Sequence, residues 1–194
     1  MFKFEIYKKF LKSKKQIYTL SDLKKFLGVK KDNSVYQAIK RLKENGILES
    51  LRNGVYKVKD IPSNDFVIAN SLYSPSYISL ESALNYYGIL IQTPYIISSV
   101  TTRRNKLIKS GNKEFTFFHL SNDYFFDYIK EKDFLIATPE KALIDTIFFQ
   151  AIGQSKMDLS ELILDQVNKK RFLKVKDKIK NLAFHKMLES LRLK

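Results

Sequence analysis

The chain contains no cysteine, no tryptophan, two histidines, four prolines and six glycines in 194 residues. Without cysteine there is neither a disulfide scaffold nor a thiolate metal site. His119 and His185 stand too far apart to supply metal-ligand spacing, so both are expected to be packing residues. No run approaches the ~18 apolar residues of a membrane span, and residues 1–10 lack the charged, apolar, small order of a secretory leader. A reducing cytoplasm, away from any membrane, is the expectation. None of the glycines opens a Walker loop or a dinucleotide fingerprint, and there is no G-x-S-x-G elbow. A nuclease core wants an acid followed two residues later by lysine. Only Asp22-x-Lys24 has that spacing, and it falls in a helix start. The expectation is therefore no enzyme, no cofactor and no metal.

Acidic residues are also scarce: 20 Asp and Glu stand against 35 Lys and Arg, a formal net charge of +15. Such an excess favours a polyanionic partner, although lysine-rich surfaces also occur without one. It is unevenly spread. Residues 1–62 hold sixteen Lys/Arg against six Asp/Glu, whereas the longer remainder holds nineteen against fourteen.

What is present in abundance is apolar patterning, with 44% hydrophobic and 13% aromatic residues. Phe2, Ile6, Tyr7, Phe10 and Leu11 recur at helical spacing and predict a first helix ending near Lys12–Lys15. In TLSD, Thr19 and Asp22 predict a capped second helix whose stripe is Leu23, Phe26 and Leu27 and whose stop is Gly28. A third helix is predicted over residues 33–45. Its Val35, Ala38, Ile39 and Leu42 share one arc and must face a core, leaving Asn33, Gln37, Lys40, Arg41 and Glu44 outward with Tyr36 and Lys43 at the flanks. Two β-prone runs, 47–51 and 55–58, flank Asn53-Gly54, a hairpin dipeptide in which both positions tolerate positive φ. Three helices followed by a hairpin predict a winged helix-turn-helix over residues 1–62.

In that fold Gln37, Lys40 and Arg41 lead the contacts with double-stranded DNA. Asn33, Tyr36 and Lys43 support them, and Arg52 lies at the wing tip near the phosphate backbone. Lys24, Lys25, Lys30 and Lys31 need no explanation beyond solvation. A winged helix used for protein contact remains the alternative.

Pro, Ser and Asn cluster at residues 60–65 and mark a domain border. Residues 63–194 predict a small mixed α+β domain. Helices are expected near 66–72 and after Ser79, where Ala83, Leu84 and Tyr87 form the stripe. Strands are expected at 95–100 and 115–120, paired with each other, and at 134–137. Thr138-Pro139-Glu140 opens a helix running to about 151. Helices near 158–169 and 175–191 complete a helical tail from about residue 155. The fold class is α+β.

Four segments carry a family likeness: YISLESALNYYGI (77–89), SVTTRR (99–104), GNKEFTFFHL (111–120) and IATPEKALIDTIF (136–148). With a winged helix in front, their order and spacing resemble the AbiEi family of abortive-infection antitoxins, the antitoxin regulators of type IV toxin–antitoxin systems. One departure is the loop NDYFFDY (122–128), which lacks the glycine of the family's pattern. The resemblance implies a DNA-binding, autorepressing regulator that acts at an inverted-repeat operator in phage defence. It also implies an α+β domain that counters a nucleotidyltransferase-type toxin without necessarily forming a stable complex. Family members without a toxin exist as well.

Arg103 and Arg104 keep two readings open: they grip phosphate or an acidic partner, or they pair with the domain's own carboxylates such as Glu81 or Glu140. Glu81 and Glu140 read as helix-start acids. Tyr86, Tyr87, Tyr95, Phe117, Phe118, Phe125 and Phe126 either line an effector pocket of a stand-alone regulator or fill a core.

Overall fold

A computed structural model describes residues 2–13 and 15–191, with side chains of the first helix from Phe4 onward. The expected place of Phe2 in the apolar stripe, and Lys14 at the helix end, lie outside what is described. The described residues form a mixed α+β fold with eight α-helices and two sheets. The chain divides into two compact units, residues 1–72 and 73–194, so the division follows the fourth helix instead of preceding it at residue 62.

The first unit runs α1 (Phe2–Ser13), β1 (Ile17–Thr19), α2 (Leu20–Leu27), α3 (Asp32–Glu44), β2 (Leu48–Arg52), β3 (Val55–Val58) and α4 (Asp65–Leu72). Thr19 closes a reciprocal cap on α2. Its hydroxyl accepts from the Asp22 N–H at 3.2 Å, while its own N–H donates to the Asp22 carboxylate at 2.8 Å. Lys15 pairs with the same carboxylate at 2.8 Å. Burial works to raise the Asp22 pKa, but these hydrogen bonds from Lys15 and Thr19 outweigh it and hold the carboxyl below its ordinary value. Gly28 ends α2 in the left-handed conformation, at φ +67°.

The three-stranded antiparallel sheet has order β1-β3-β2. Strand β1 escapes sequence reading because three residues are too few to show an alternation. In the hairpin only Gly54 takes a positive φ, +79°; Asn53 does not, and a register shift between Ser50 and Arg52 absorbs the mismatch. Phe10, Tyr18, Leu23, Val35, Ile39, Leu42, Leu48, Tyr56 and Val58 form one core cluster joining helices to sheet.

The second unit is built on a six-stranded sheet, order β6-β7-β5-β4-β9-β8. The strands are β4 (Ser76–Ile78), β5 (Ile96–Thr101), β6 (Lys106–Ser110), β7 (Lys113–His119), β8 (Tyr128–Glu131) and β9 (Phe134–Ala137). The expected pairing of the two aromatic strands is present. β5 and β7 run parallel, from Ile96 beside Glu114 to Thr101 beside His119. After α5 (Leu80–Tyr86), the central α6 (Pro139–Ala151) packs against α5, α7 (Lys169–Lys176) and α8 (Leu182–Ser190). Ten residues of α6 are buried, so it is covered on every side.

Two expected helices are not formed as drawn. Residues 158–169 hold two short 3₁₀ turns, Leu159–Glu161 and Leu164–Gln166. The Asp158 carboxylate takes the Ser160 N–H at 2.9 Å, and the Ile163 N–H turns away to the Ile89 carbonyl at 2.8 Å, so the helical ladder never starts. Residues 175–191 are interrupted between α7 and α8. There Asn181 caps α8 through the Phe184 N–H at 3.0 Å, and the Lys180 N–H donates to the Tyr124 hydroxyl at 3.1 Å. No described helix is long and apolar enough to cross a membrane.

Candidate nucleic-acid interface

Helix α3 is set by its aliphatic stripe. Val35, Ile39 and Leu42 are 0–4% exposed, and Ala38 is half-buried at the edge of the stripe. At 100° per residue their inward direction sends Gln37, Asn33 and Glu44 to the outer crest, with Lys40 and Arg41 on either side of it. Asn33, Tyr36, Gln37, Lys40, Arg41 and Lys43 are all exposed. Several basic residues elsewhere in this unit are engaged: Lys24 pairs with Asp32, Lys57 with Glu49 at 3.2 Å, and Lys9 donates to the Phe26 carbonyl at 2.6 Å. Lys40, Arg41 and Lys43 form no ion pair among the described residues, so α3 presents unneutralised charge and free amide groups together.

The crest has two distinct flanks. Tyr36, Lys40, Lys43 and Glu44 face the hairpin and line an open groove with Ser50, Asn53 and Tyr56. Arg41 and Asn45 lie on the other flank, beside a small apolar recess lined by Ile6, Leu27 and Ala38. Tyr56 is buried, and that burial, with Tyr36 nearby, raises its pKa. Asn53 and Ser50 join the groove from the hairpin, and sequence reading had not singled them out; the turn dipeptide itself was their only signal. Arg52 ends the strand that leads into the turn. It stands one residue back from the turn, half-buried, with its Nε enclosed and without a hydrogen-bond partner. Its aliphatic stem is thus held on the hairpin, and Asn53-Gly54 alone forms the tip.

In the second unit the TPEKALID segment proves to be a polar lock. Thr138 caps α6 by accepting from the Lys141 N–H at 3.3 Å, and its hydroxyl donates to Asp127 at 2.8 Å. Glu140 accepts from the Asn168 N–H at 2.8 Å and pairs with Arg171 at 3.3 Å, tying α6 to the start of α7. Lys141 and Asp145, 0% and 1% exposed, form an ion pair inside the unit. The second Asp145 oxygen accepts from Tyr77 at 3.0 Å and from Ser79 at 2.8 Å. Burial, then the Asp145 charge, pushes the Tyr77 phenol well above its ordinary pKa. Ser79 therefore precedes α5 without capping it through its side chain. Asp127, at φ +59°, supplies the left-handed residue in the glycine-free loop and also pairs with Arg171 at 2.7 Å. This constellation was not legible from single residues, although Lys141 and Asp145 do stand at helical i, i+4 spacing.

Arg103 and Arg104 are exposed, and among the described residues neither pairs with Glu81 or Glu140; Arg171 takes Glu140 instead. His119 is exposed rather than packed, its Nδ1 2.9 Å from the Arg103 carbonyl, whereas His185 is half-buried with Nε2 2.6 Å from the Ile179 carbonyl. The aromatic residues do not gather around one cavity: Phe117 is fully buried, Phe118 packs on Phe149, Phe125 on Tyr77, and Tyr95 is 77% exposed. No family model matches the chain, and no curated protein matches it.

Proposed function

We propose that this chain is a sequence-specific DNA-binding regulator whose first unit acts as a winged helix-turn-helix. Helix α3 is the reading element and the β2–β3 hairpin is the wing. The observation that carries this reading is the outer face of α3, where Lys40, Arg41 and Lys43 have no counter-ion among the described residues and surround Gln37 and Asn33. Arg and Gln offer bidentate contacts to base edges, Lys supplies phosphate charge, and the groove beside the hairpin would take a strand of backbone. Arg52 ends β2 immediately before the turn, in reach of the phosphate backbone beside Asn53.

The antitoxin role rests on the likeness of residues 77–148 to the AbiEi family. On that reading the protein autorepresses its operon at inverted repeats and counteracts a nucleotidyltransferase-like toxin in the cytoplasm. The second reading, a stand-alone regulator with a protein- or effector-binding unit, keeps the same DNA surface and drops the toxin.

A gel-shift titration of the promoter DNA upstream of the chain's own gene, at several salt concentrations, tests the DNA reading. Sequence-selective binding with a steep salt slope is expected, and equally weak retention of promoter and random duplex refutes it. Co-expression with the product of the adjacent gene tests the antitoxin role, which requires toxicity of that product alone and its suppression by this chain.

A further inference from the structure

The parallel strands β5 and β7 end side by side at Thr101 and His119, and the loop that follows β5 carries Arg103, Arg104 and Asn105 into Lys106. The loop is tied down at both ends. The Arg103 N–H donates to the Thr101 hydroxyl at 3.2 Å, which itself donates to the Pro75 carbonyl at 2.7 Å. Asn105 accepts from the His119 N–H at 2.5 Å. On this fixed loop the Arg103 guanidinium and the Lys106 ammonium both lie over the ring of Tyr73, at 5.5 and 5.3 Å from its centre.

Two like charges are thus held at one aromatic ring, and Arg104 follows Arg103 in the same exposed loop. None of the three has a carboxylate within ion-pair distance among the described residues. The next lysine of the same strand, Lys109, does have one: Glu114, at 2.6 Å. The ring offsets part of the repulsion, but a π face is weaker than a counter-ion. His119 adds direction. Its Nδ1 faces a carbonyl, which can only accept, so Nδ1 carries the proton and Nε2 is left without a partner among the described residues.

From this geometry we infer a binding site for a small phosphorylated ligand at the carboxyl ends of β5 and β7, held by Arg103, Arg104 and Lys106 with His119 at its edge. Guanidinium forks match the oxygens of phosphate and of carboxylate alike, but three positive charges in one loop exceed what a carboxylate or a single phosphate group carries. A diphosphate moiety, as in a nucleotide, fits that count.

Calorimetric titration of the full chain with inorganic pyrophosphate, and separately with ATP, at physiological salt tests the site. One saturable site is expected. The Arg103→Gln/Lys106→Gln variant weakens it by about tenfold or more, and Lys109→Gln, whose charge is already neutralised, leaves it unchanged. His119→Gln provides a second variant outside the cation set and reduces affinity by a smaller factor. Circular dichroism confirms that each variant is folded. Absence of a saturable site in the wild type overturns the inference, as does equal weakening by Lys109→Gln, which signals diffuse charge only. A double variant that loses affinity for random duplex DNA but not for pyrophosphate also overturns it, because these cations would then serve a nucleic-acid backbone.

Discussion

Replacing Asp145 by alanine removes one carboxylate that serves three groups at once. The Lys141 ammonium loses its counter-ion at a site with 0% exposure, and the hydroxyls of Tyr77 and Ser79 lose their acceptor. Breaking a buried ion pair from one side costs about 3–5 kcal/mol, because the remaining charge cannot reach water. An orphaned buried hydroxyl adds about 1–3 kcal/mol. Asp145→Ala should therefore cost about 4 kcal/mol or more, a large part of the ~5–15 kcal/mol that holds a domain folded. Lys141→Met/Asp145→Asn should be far milder. Methionine fills the volume of the lysine stem, and the asparagine carbonyl still accepts from Tyr77 and Ser79, so no charge stays buried alone. The double variant is expected to lose about 1–2 kcal/mol, less than Asp145→Asn alone, and with about 3–5 kcal/mol lost in each single variant the coupling between the sites is about 4 kcal/mol or more. Urea unfolding of the full chain, followed by far-ultraviolet dichroism and tyrosine fluorescence, measures all four corners of the cycle. Additive losses, or a cost below about 1 kcal/mol for Asp145→Ala, would refute the lock, since a charge that can escape to solvent needs no partner.

On the DNA face, Arg41→Ala or Gln37→Ala should lose about 1–3 kcal/mol at the operator and relax base preference, while Lys40→Ala should weaken every duplex and flatten the salt slope by about one unit. Identical losses on specific and random DNA for all three, read by fluorescence anisotropy, would defeat the assignment. Thr19→Ala should cost about 1 kcal/mol in urea titration by opening the cap on α2, and an unchanged midpoint would show that the cap contributes nothing. Because the Asp22 pKa is lower folded than unfolded, its stabilisation is complete above the unfolded value of about 3.9 and disappears as pH falls through the folded value. Asp22→Asn should flatten the acid limb of a thermal-unfolding series, and a limb of unchanged steepness counts against that linkage.

Much of the architecture was readable wherever a signal is local. The Thr19 cap, the Gly28 stop, the buried stripe of α3, the hairpin at Asn53-Gly54 and the Thr138-Pro139 start of α6 all depend on residues within one or two turns of each other, and all are present. The three-residue strands β1 and β4 carry too little alternation to be read, and strands distant in the chain supply their hydrogen bonds, whereas β6 and β8 pair with the strand that follows each of them, across two-residue turns whose sequences do not stand out. Residues 158–169 depart from the expected helix because the Ser160 N–H is taken by the Asp158 carboxylate and the Ile163 N–H by the distant Ile89 carbonyl.

By itself the sequence determined that α3 turns a cationic, amide-bearing face to solvent, because 3.6-residue periodicity leaves Val35, Ile39 and Leu42 only one direction to bury. Tertiary structure alone decided which charges remain available. Lys24 and Lys57 found carboxylates, Arg171 rather than Arg103 took Glu140, and Lys141 was drawn out of water altogether by Asp145. Charge pairing acts over a few ångströms in space and is indifferent to distance along the chain; spacing allowed Lys141 to meet Asp145 and Lys57 to meet Glu49, but only the packed structure decided which pairs formed and which were buried.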